Sequence, residues 1–104
     1  MAVVEVQVWP VGTDHASVSS YIARCYRLAE QAPGVAAQLT PTATILEGDL
    51  DRVWEVVRQM HAAPFEQGAD RVVTTVTIDD RQDKAESMEA MVSAVMEEVH
   101  RPEP

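Results

Sequence analysis

Aliphatic and polar residues alternate near the start of the chain, where Val4, Val6 and Val8 are each separated by one residue. Period-two alternation is typical of a strand with one buried face. The intervening positions are polar until Trp9, and a large aromatic side chain on that side indicates a covered surface such as a subunit contact. We expect Pro10 and Gly12 to close the strand.

Apolar residues three or four positions apart predict three helices. The first is expected over residues 17–32, with serine hydroxyls at its cap. The second begins at Asp49 or Asp51 and is expected to falter before Pro64. The third covers residues 84–100. This third helix is expected to bury Met88, Met91, Val92, Val95 and Val99.

Two further segments predict strands. Residues 39–49 form two short extended runs about a bend at 40–43, because the proline there cannot donate to a sheet ladder. Residues 71–78 give the strongest strand signal in the chain. The resulting order, β-α-β-β-α-β followed by a helix, predicts an α+β fold of the ferredoxin-like type with an antiparallel sheet and an additional C-terminal helix. We expect one domain over residues 1–104, with a frayed tail at 101–104.

In this architecture two helices cover one face of the sheet, and the other face is left for water, a ligand, the extra helix or another subunit. Gln7, Trp9, Thr75 and Thr77 are predicted on that open face, together with some threonines of the hairpin. A threonine-rich surface with one tryptophan is too polar for an ordinary core and too regular for a random surface. The pattern indicates a binding site.

Composition narrows the choice of partners. The chain has 104 residues, 46% of them hydrophobic, and a formal net charge of −9. Its Lys and Arg residues are scattered, so we expect no nucleic-acid partner, because non-specific affinity for phosphate backbones depends on clustered positive charge. The apolar runs are too short to span a membrane, and the N-terminus lacks the basic start and apolar core of a secretory signal. We therefore expect a cytoplasmic location and no membrane partner.

Signals for catalysis are weak. The sequence contains no glycine-rich phosphate loop, HExxH motif or CxxC motif. His15, His61 and His100 lie in different predicted elements, so a metal-dependent enzyme would require them to converge in space. Cys25 falls among apolar helix positions, which indicates a small buried residue rather than a nucleophile. We expect a protein that binds a ligand without converting it and that uses no cofactor and no metal.

Three segments together resemble the thiamine-binding protein family, whose members are small ferredoxin-like domains. The first is Pro-Val-Gly-Thr at 10–13. The second is more specific and reads Leu-Thr-Pro-x-x-Thr-x-x-Glu-Gly-Asp-Leu at 39–50. The third reads Arg-Val-Val-Thr-Thr-x-x-Ile-Asp-Asp-Arg at 71–81. The resemblance covers residues 3–99 and departs from the pattern at Ala43, where many relatives are expected to have glycine.

The resemblance implies binding of thiamine or of its hydroxymethylpyrimidine part, without catalysis, in a homo-oligomer that is a dimer or a tetramer built from dimers. An aminopyrimidine has ring nitrogens and an amine that threonine hydroxyls, Gln7 and a carboxylate could bind. The cationic thiazolium ring could stack on Trp9, with Glu47 or Asp79 supplying opposite charge. The predicted ligand-binding residues are Gln7, Trp9, Thr40, Thr42, Thr44, Glu47, Thr75, Thr77 and Asp79.

Each of these residues also has an ordinary structural role. Threonines suit a pleated strand, Glu47 precedes a helix whose dipole favours an acid, and Asp79 could belong to a turn with a surface ion pair. Trp9 could anchor a dimer as well as a ligand. The alternative function is a structural or regulatory module that self-associates through its open sheet face and binds no metabolite.

Overall fold

A computed structural model describes residues 1–12, 18–85 and 87–103. The predictions that concern His15, the serine cap at Ser17 and the tail residue Pro104 lie outside these residues. The elements are β1 (Ala2–Val11), α1 (Ser19–Gln31), β2 (Val35–Leu39), β3 (Thr44–Gly48), α2 (Leu50–Glu66), β4 (Arg71–Asp80) and α3 (Met88–Val99). This order confirms the predicted α+β, ferredoxin-like fold with an additional C-terminal helix.

The sheet has the strand order β2-β3-β1-β4, and all neighbouring strands are antiparallel. β1 pairs with β4 along its whole length but with β3 only as far as Val6, which lies opposite Thr44. Within the described residues, β1 therefore has a neighbouring strand on one side only from Gln7 onward. This half-paired stretch contains Pro10, and a proline is tolerated in a strand where one edge is unpaired.

The core lies between the sheet and the two helices α1 and α2. Val4, Val6 and Leu46 are buried on the helix side of the sheet, as the alternation along β1 predicts. The apolar stripe of α2, which includes Val53 and Met60, packs against them. Each such side chain contributes about 1.5–3 kcal/mol to stability when it leaves water, so these contacts hold the helices on this face.

The starts and ends of two helices differ from prediction. The cap position of α1 is Val18, which makes no side-chain cap hydrogen bond, and Ser19 and Ser20 lie inside the first turn. α2 does not falter before Pro64 but continues to Glu66. Pro64 has no N–H to donate to the Met60 carbonyl four residues earlier, but the Cys25 thiol donates to that oxygen at 3.3 Å, and the proline ring is buried in the core.

The expected burial of α3 is wrong. The helix has no buried residue, and Val92, Val95 and Val99 are 58%, 61% and 64% exposed. The N-terminus of this helix is capped, since the Ser87 hydroxyl accepts a hydrogen bond from the Ala90 N–H at 3.1 Å. α1 and α2 already cover the helix side of the sheet, so the apolar stripe of α3 finds no partner among the described residues. None of the helices in the described part of the chain is long and apolar enough to cross a membrane.

Candidate functional site

A cavity of about 60 Å³ lies at the half-paired end of β1, under the turn that joins β2 to β3. Its walls come from β1, the turn, and the facing sides of α1 and α2. The apolar walls are Val6, Val8, Ile22, Cys25, Leu39 and Met60. The other lining residues are Gln7, Trp9, Thr40, Pro41, Thr42, Ala43 and Thr44. The polar groups are therefore gathered on the side of β1 and the turn, opposite the helices.

The turn keeps its shape through Thr40. Its hydroxyl donates to the carbonyl oxygen of Ala43 at 3.0 Å and accepts from the Ala43 N–H at 3.0 Å, and the Thr40 N–H donates to the same carbonyl at 2.9 Å. The side chain of Thr40 is therefore engaged within the turn. Ala43 departs from the glycine expected there, but no described residue other than glycine has a positive φ. Alanine consequently causes no backbone strain at this position.

Gln7 connects β1 to the turn. Its side-chain Nε2 donates to the carbonyl oxygen of Thr42 at 3.2 Å, between residues 35 positions apart in sequence. This contact spans the place where β3 no longer pairs with β1. Gln7 therefore holds the turn over the cavity, whereas the exposed side chain of Thr42 makes no comparable contact with the described residues.

Thr44 is the buried polar residue of the cavity wall, with 5% of its surface exposed. It lies opposite Val6 on the helix side of the sheet, so it is not among the open-face threonines. Its hydroxyl makes no hydrogen bond with the described residues, and no buried side-chain nitrogen or oxygen among them lacks a partner, so this oxygen is not fully enclosed. The hydroxyl is therefore accessible to a ligand in the cavity.

The thiol of Cys25 closes the inner wall. It donates to the carbonyl oxygen of Met60 at 3.3 Å, and burial raises the pKa of Cys25 to about 11, against a smaller opposing effect of Arg24. The thiol is therefore protonated near neutral pH and is a poor nucleophile. No charged side chain of the described residues lines the cavity. This interior suits a neutral, largely apolar group that makes a few hydrogen bonds.

The structure divides the predicted ligand-binding residues into two sets. Gln7, Trp9, Thr40, Thr42 and Thr44 surround the cavity. The other four residues do not line it: Thr75 lies opposite Gln7 on β4, and Glu47, Thr77 and Asp79 lie further along β3 and β4.

The acidic members of the second set are far from Trp9. Glu47 and Asp79 both lie opposite Val3, six residues before Trp9 on β1. At about 3.3 Å per residue this separation is about 20 Å. Neither carboxylate can therefore share a small ligand with Trp9 within one copy of the chain.

Sequence reasoning missed the apolar half of the cavity. Ile22, Cys25 and Met60 belong to the buried stripes of α1 and α2, and this periodicity is the same for a core residue and for a cavity wall. Leu39 belongs to the predicted hairpin and is 51% exposed at the cavity rim. The available signal was its position directly before the turn.

The histidines do not form a site within the described residues. His61 Nδ1 lies 2.6 Å from the hydroxyl of Thr74, and its ring packs edge-on against Phe65 with centroids 5.8 Å apart. His100 Nδ1 lies 2.9 Å from the carbonyl oxygen of Met96 at the end of α3. No group of three or more His, Cys, Asp or Glu side chains in the described part of the chain could hold a metal ion.

The sequence model of one family, described as thiamine-binding protein, matches residues 4–96. The chain belongs to the thiamine-binding protein family. Among its relatives, the UPF0045 protein in the glkA 3′ region of Staphylococcus xylosus is 50% identical over 98 residues, which cover 91% of this chain and 92% of that protein. The UPF0045 protein YqgV of Bacillus subtilis is 41% identical over 98 residues, covering 91% and 94% of the two chains.

Solved structures of similar proteins have the same fold. MJ1052 from Methanocaldococcus jannaschii superimposes with a TM-score of 0.82 at 31% identity, covering 92% of this thiamine-binding-family chain and 96% of that one. A Thermotoga maritima protein, described as a candidate for thiamine biosynthesis or salvage, superimposes with a TM-score of 0.73 at 23% identity, covering 90% and 97% of the two chains. At 23% identity, the likeness to the Thermotoga maritima protein shows only that the two chains share a fold.

Proposed function

We propose that this chain is a non-catalytic cytoplasmic protein that binds thiamine or its hydroxymethylpyrimidine part, with the pyrimidine ring in the cavity under the turn. The observation that carries the proposal is the uncharged cavity whose polar groups lie along one side, in a member of the thiamine-binding protein family. A Thermotoga maritima neighbour with the same fold is described as a candidate for thiamine biosynthesis or salvage.

The volume of the cavity suits a single planar ring of a ligand. One water needs about 10–15 Å³ of such space, so a cavity of about 60 Å³ has room for a few waters or a planar ring that replaces them. A pyrimidine with an amino group offers donors and acceptors in one plane, and Thr44 and Gln7 can meet them. The backbone of β1 beyond Val6 also faces this side without a strand partner among the described residues, so its polar groups are open to the same ring.

Isothermal titration with hydroxymethylpyrimidine and with thiamine tests this proposal. Replacing Thr44 with valine keeps the side-chain shape and removes the hydroxyl, so we expect affinity for both ligands to fall about 2- to 10-fold, the effect of one hydrogen bond. The matched control is Thr77→Val, because Thr77 is exposed on β4 opposite Glu5 and does not line the cavity. The absence of binding heat and of a thermal shift at millimolar ligand would refute the proposed function.

A second candidate function is self-association, with or without a metabolite. The apolar stripe of α3 is uncovered among the described residues, and Trp9 and Val73 are 45% and 44% exposed side by side on the open sheet face. We propose that copies of the chain cover these surfaces in a homo-oligomer. Val95→Asp on the stripe and Trp9→Ala on the sheet are expected to lower the mass measured by sedimentation.

The matched control for the helix is Glu97→Ala, since Glu97 is an exposed charged residue of α3. A monomeric parent protein would contradict the association. An oligomer that shows no response to thiamine or to hydroxymethylpyrimidine would favour the purely structural function.

A further inference from the structure

An open groove adjoins the cavity along the outer side of α1. It has a volume of about 430 Å³, and Ile22 and Leu39 line both the groove and the cavity. The two spaces are therefore neighbours that share these two apolar side chains. The groove continues past Tyr26 to Glu30, which lie four residues apart and so on the same side of the helix.

Thiamine consists of a pyrimidine ring and a cationic thiazolium ring joined by one carbon. If the pyrimidine fills the small cavity, the thiazolium ring must lie just outside it, either in this groove or beside Trp9. The surroundings of Trp9 do not favour a cation. Arg71 lies opposite Val11, diagonal to Trp9 on the same sheet face. Among the carboxylates of the strands on that face, Glu5 lies four residues before Trp9 on β1, at about 13 Å, and Glu47 and Asp79 lie further away.

The groove offers both features that a thiazolium ring can use. Tyr26 is half-buried, which presents part of an aromatic ring to the groove, and aromatic rings attract cations. The carboxylate of Glu30 is exposed and makes no ion pair with the described residues. Arg27 also lines the groove and acts in the opposite direction, because its positive charge opposes a cationic ligand.

Building on the proposed function, we propose that the groove between α1 and the end of β2 is the thiazolium subsite. The pyrimidine occupies the cavity, the one-carbon bridge passes between Ile22 and Leu39, and the thiazolium ring lies against Tyr26 with Glu30 as its counter-charge. The protein then distinguishes thiamine from the free pyrimidine by the charge of this groove rather than by the cavity.

The test compares the affinity of each variant for thiamine and for hydroxymethylpyrimidine by isothermal titration. Glu30→Gln is expected to weaken thiamine about two- to fivefold, as for one exposed charge pair, and to leave the uncharged pyrimidine within experimental error. Arg27→Gln is expected to strengthen thiamine to a similar degree. The control Glu97→Gln makes the same change of net charge as Glu30→Gln, but on α3, and is expected to alter neither ligand.

The outcomes separate the two proposals. If hydroxymethylpyrimidine binds and Glu30→Gln and Arg27→Gln leave thiamine affinity unchanged, the subsite is wrong while the proposed function stands. A thiamine-selective loss in Trp9→Leu without one in Glu30→Gln would assign the thiazolium ring to Trp9 and also overturn the subsite. If neither ligand binds the parent protein, both proposals fail.

Discussion

Replacing Gln7 with leucine should loosen the turn over the cavity while leaving the turn itself intact. The substitution removes the side-chain hydrogen bond from Nε2 to the carbonyl oxygen of Thr42, which is 3.2 Å long. The three hydrogen bonds between Thr40 and Ala43 do not involve Gln7, so the turn keeps its internal geometry. What is lost is its attachment to β1.

The size of the effect follows from that single contact. A neutral hydrogen bond contributes about 0.5–1.5 kcal/mol, and 1.36 kcal/mol is a factor of ten in rate. We therefore expect ligand dissociation to become about 2- to 12-fold faster, because the turn opens more often. The free energy of unfolding should fall by no more than about 1.5 kcal/mol, since Gln7 is only half-buried and can partly be replaced by water.

Stopped-flow fluorescence can measure this dissociation. Trp9 borders the cavity, and the other tryptophan, Trp54, is 46% exposed on α2, so a Trp54→Phe background isolates the signal at the site. Gln38→Leu is the matched control, because Gln38 is exposed on β2 and makes no side-chain hydrogen bond with the described residues. Unchanged dissociation in the Gln7→Leu variant would refute the view that Gln7 holds the turn.

Two further predictions concern stability. Gly48→Ala should destabilise the fold by about 1–3 kcal/mol in urea unfolding, because the added Cβ would lie 2.7 Å from the carbonyl oxygen of Gly34; equal stability would contradict this crowding. Burial raises the pKa of Cys25 from 9.0 to about 11 in the folded protein. The folded protein therefore holds the thiol proton more tightly than the unfolded chain does. Stability should therefore be lost as pH rises between these values, and a Cys25→Ala variant should show a shallower decline over the same range.

Much of the fold could be predicted because local patterns and tertiary packing agree. The alternation at Val4 and Val6 and the stripe at Val53 and Met60 each mark a face that the sheet and helices bury together. The disagreement arises in α3, where Val95 has the same helical spacing but remains exposed. Periodicity shows that a face is apolar and does not show what covers it.

The candidate site was less predictable for a geometric reason. The sequence places Thr44 and Glu47 in one short hairpin, which suggests one site. Strand register separates them, since Thr44 lies opposite Val6 at the end of the β1–β3 pairing and Glu47 lies opposite Val3. Alternation also turns them to opposite faces of the sheet. Neither the register nor the early end of β3 pairing can be read from the residue types of the hairpin.

Trp9 lies at both surfaces for which we propose a function. It borders the cavity under the turn, and its exposed side chain belongs to the face of β1 opposite the helices. A short helix such as α3 gains most of its stability from packing, which favours cover of its apolar stripe. A second copy that covered the open sheet face would contact Trp9. Association and ligand binding would then be coupled through this residue, whereas Thr44, buried on the other side of the sheet, would affect the ligand alone.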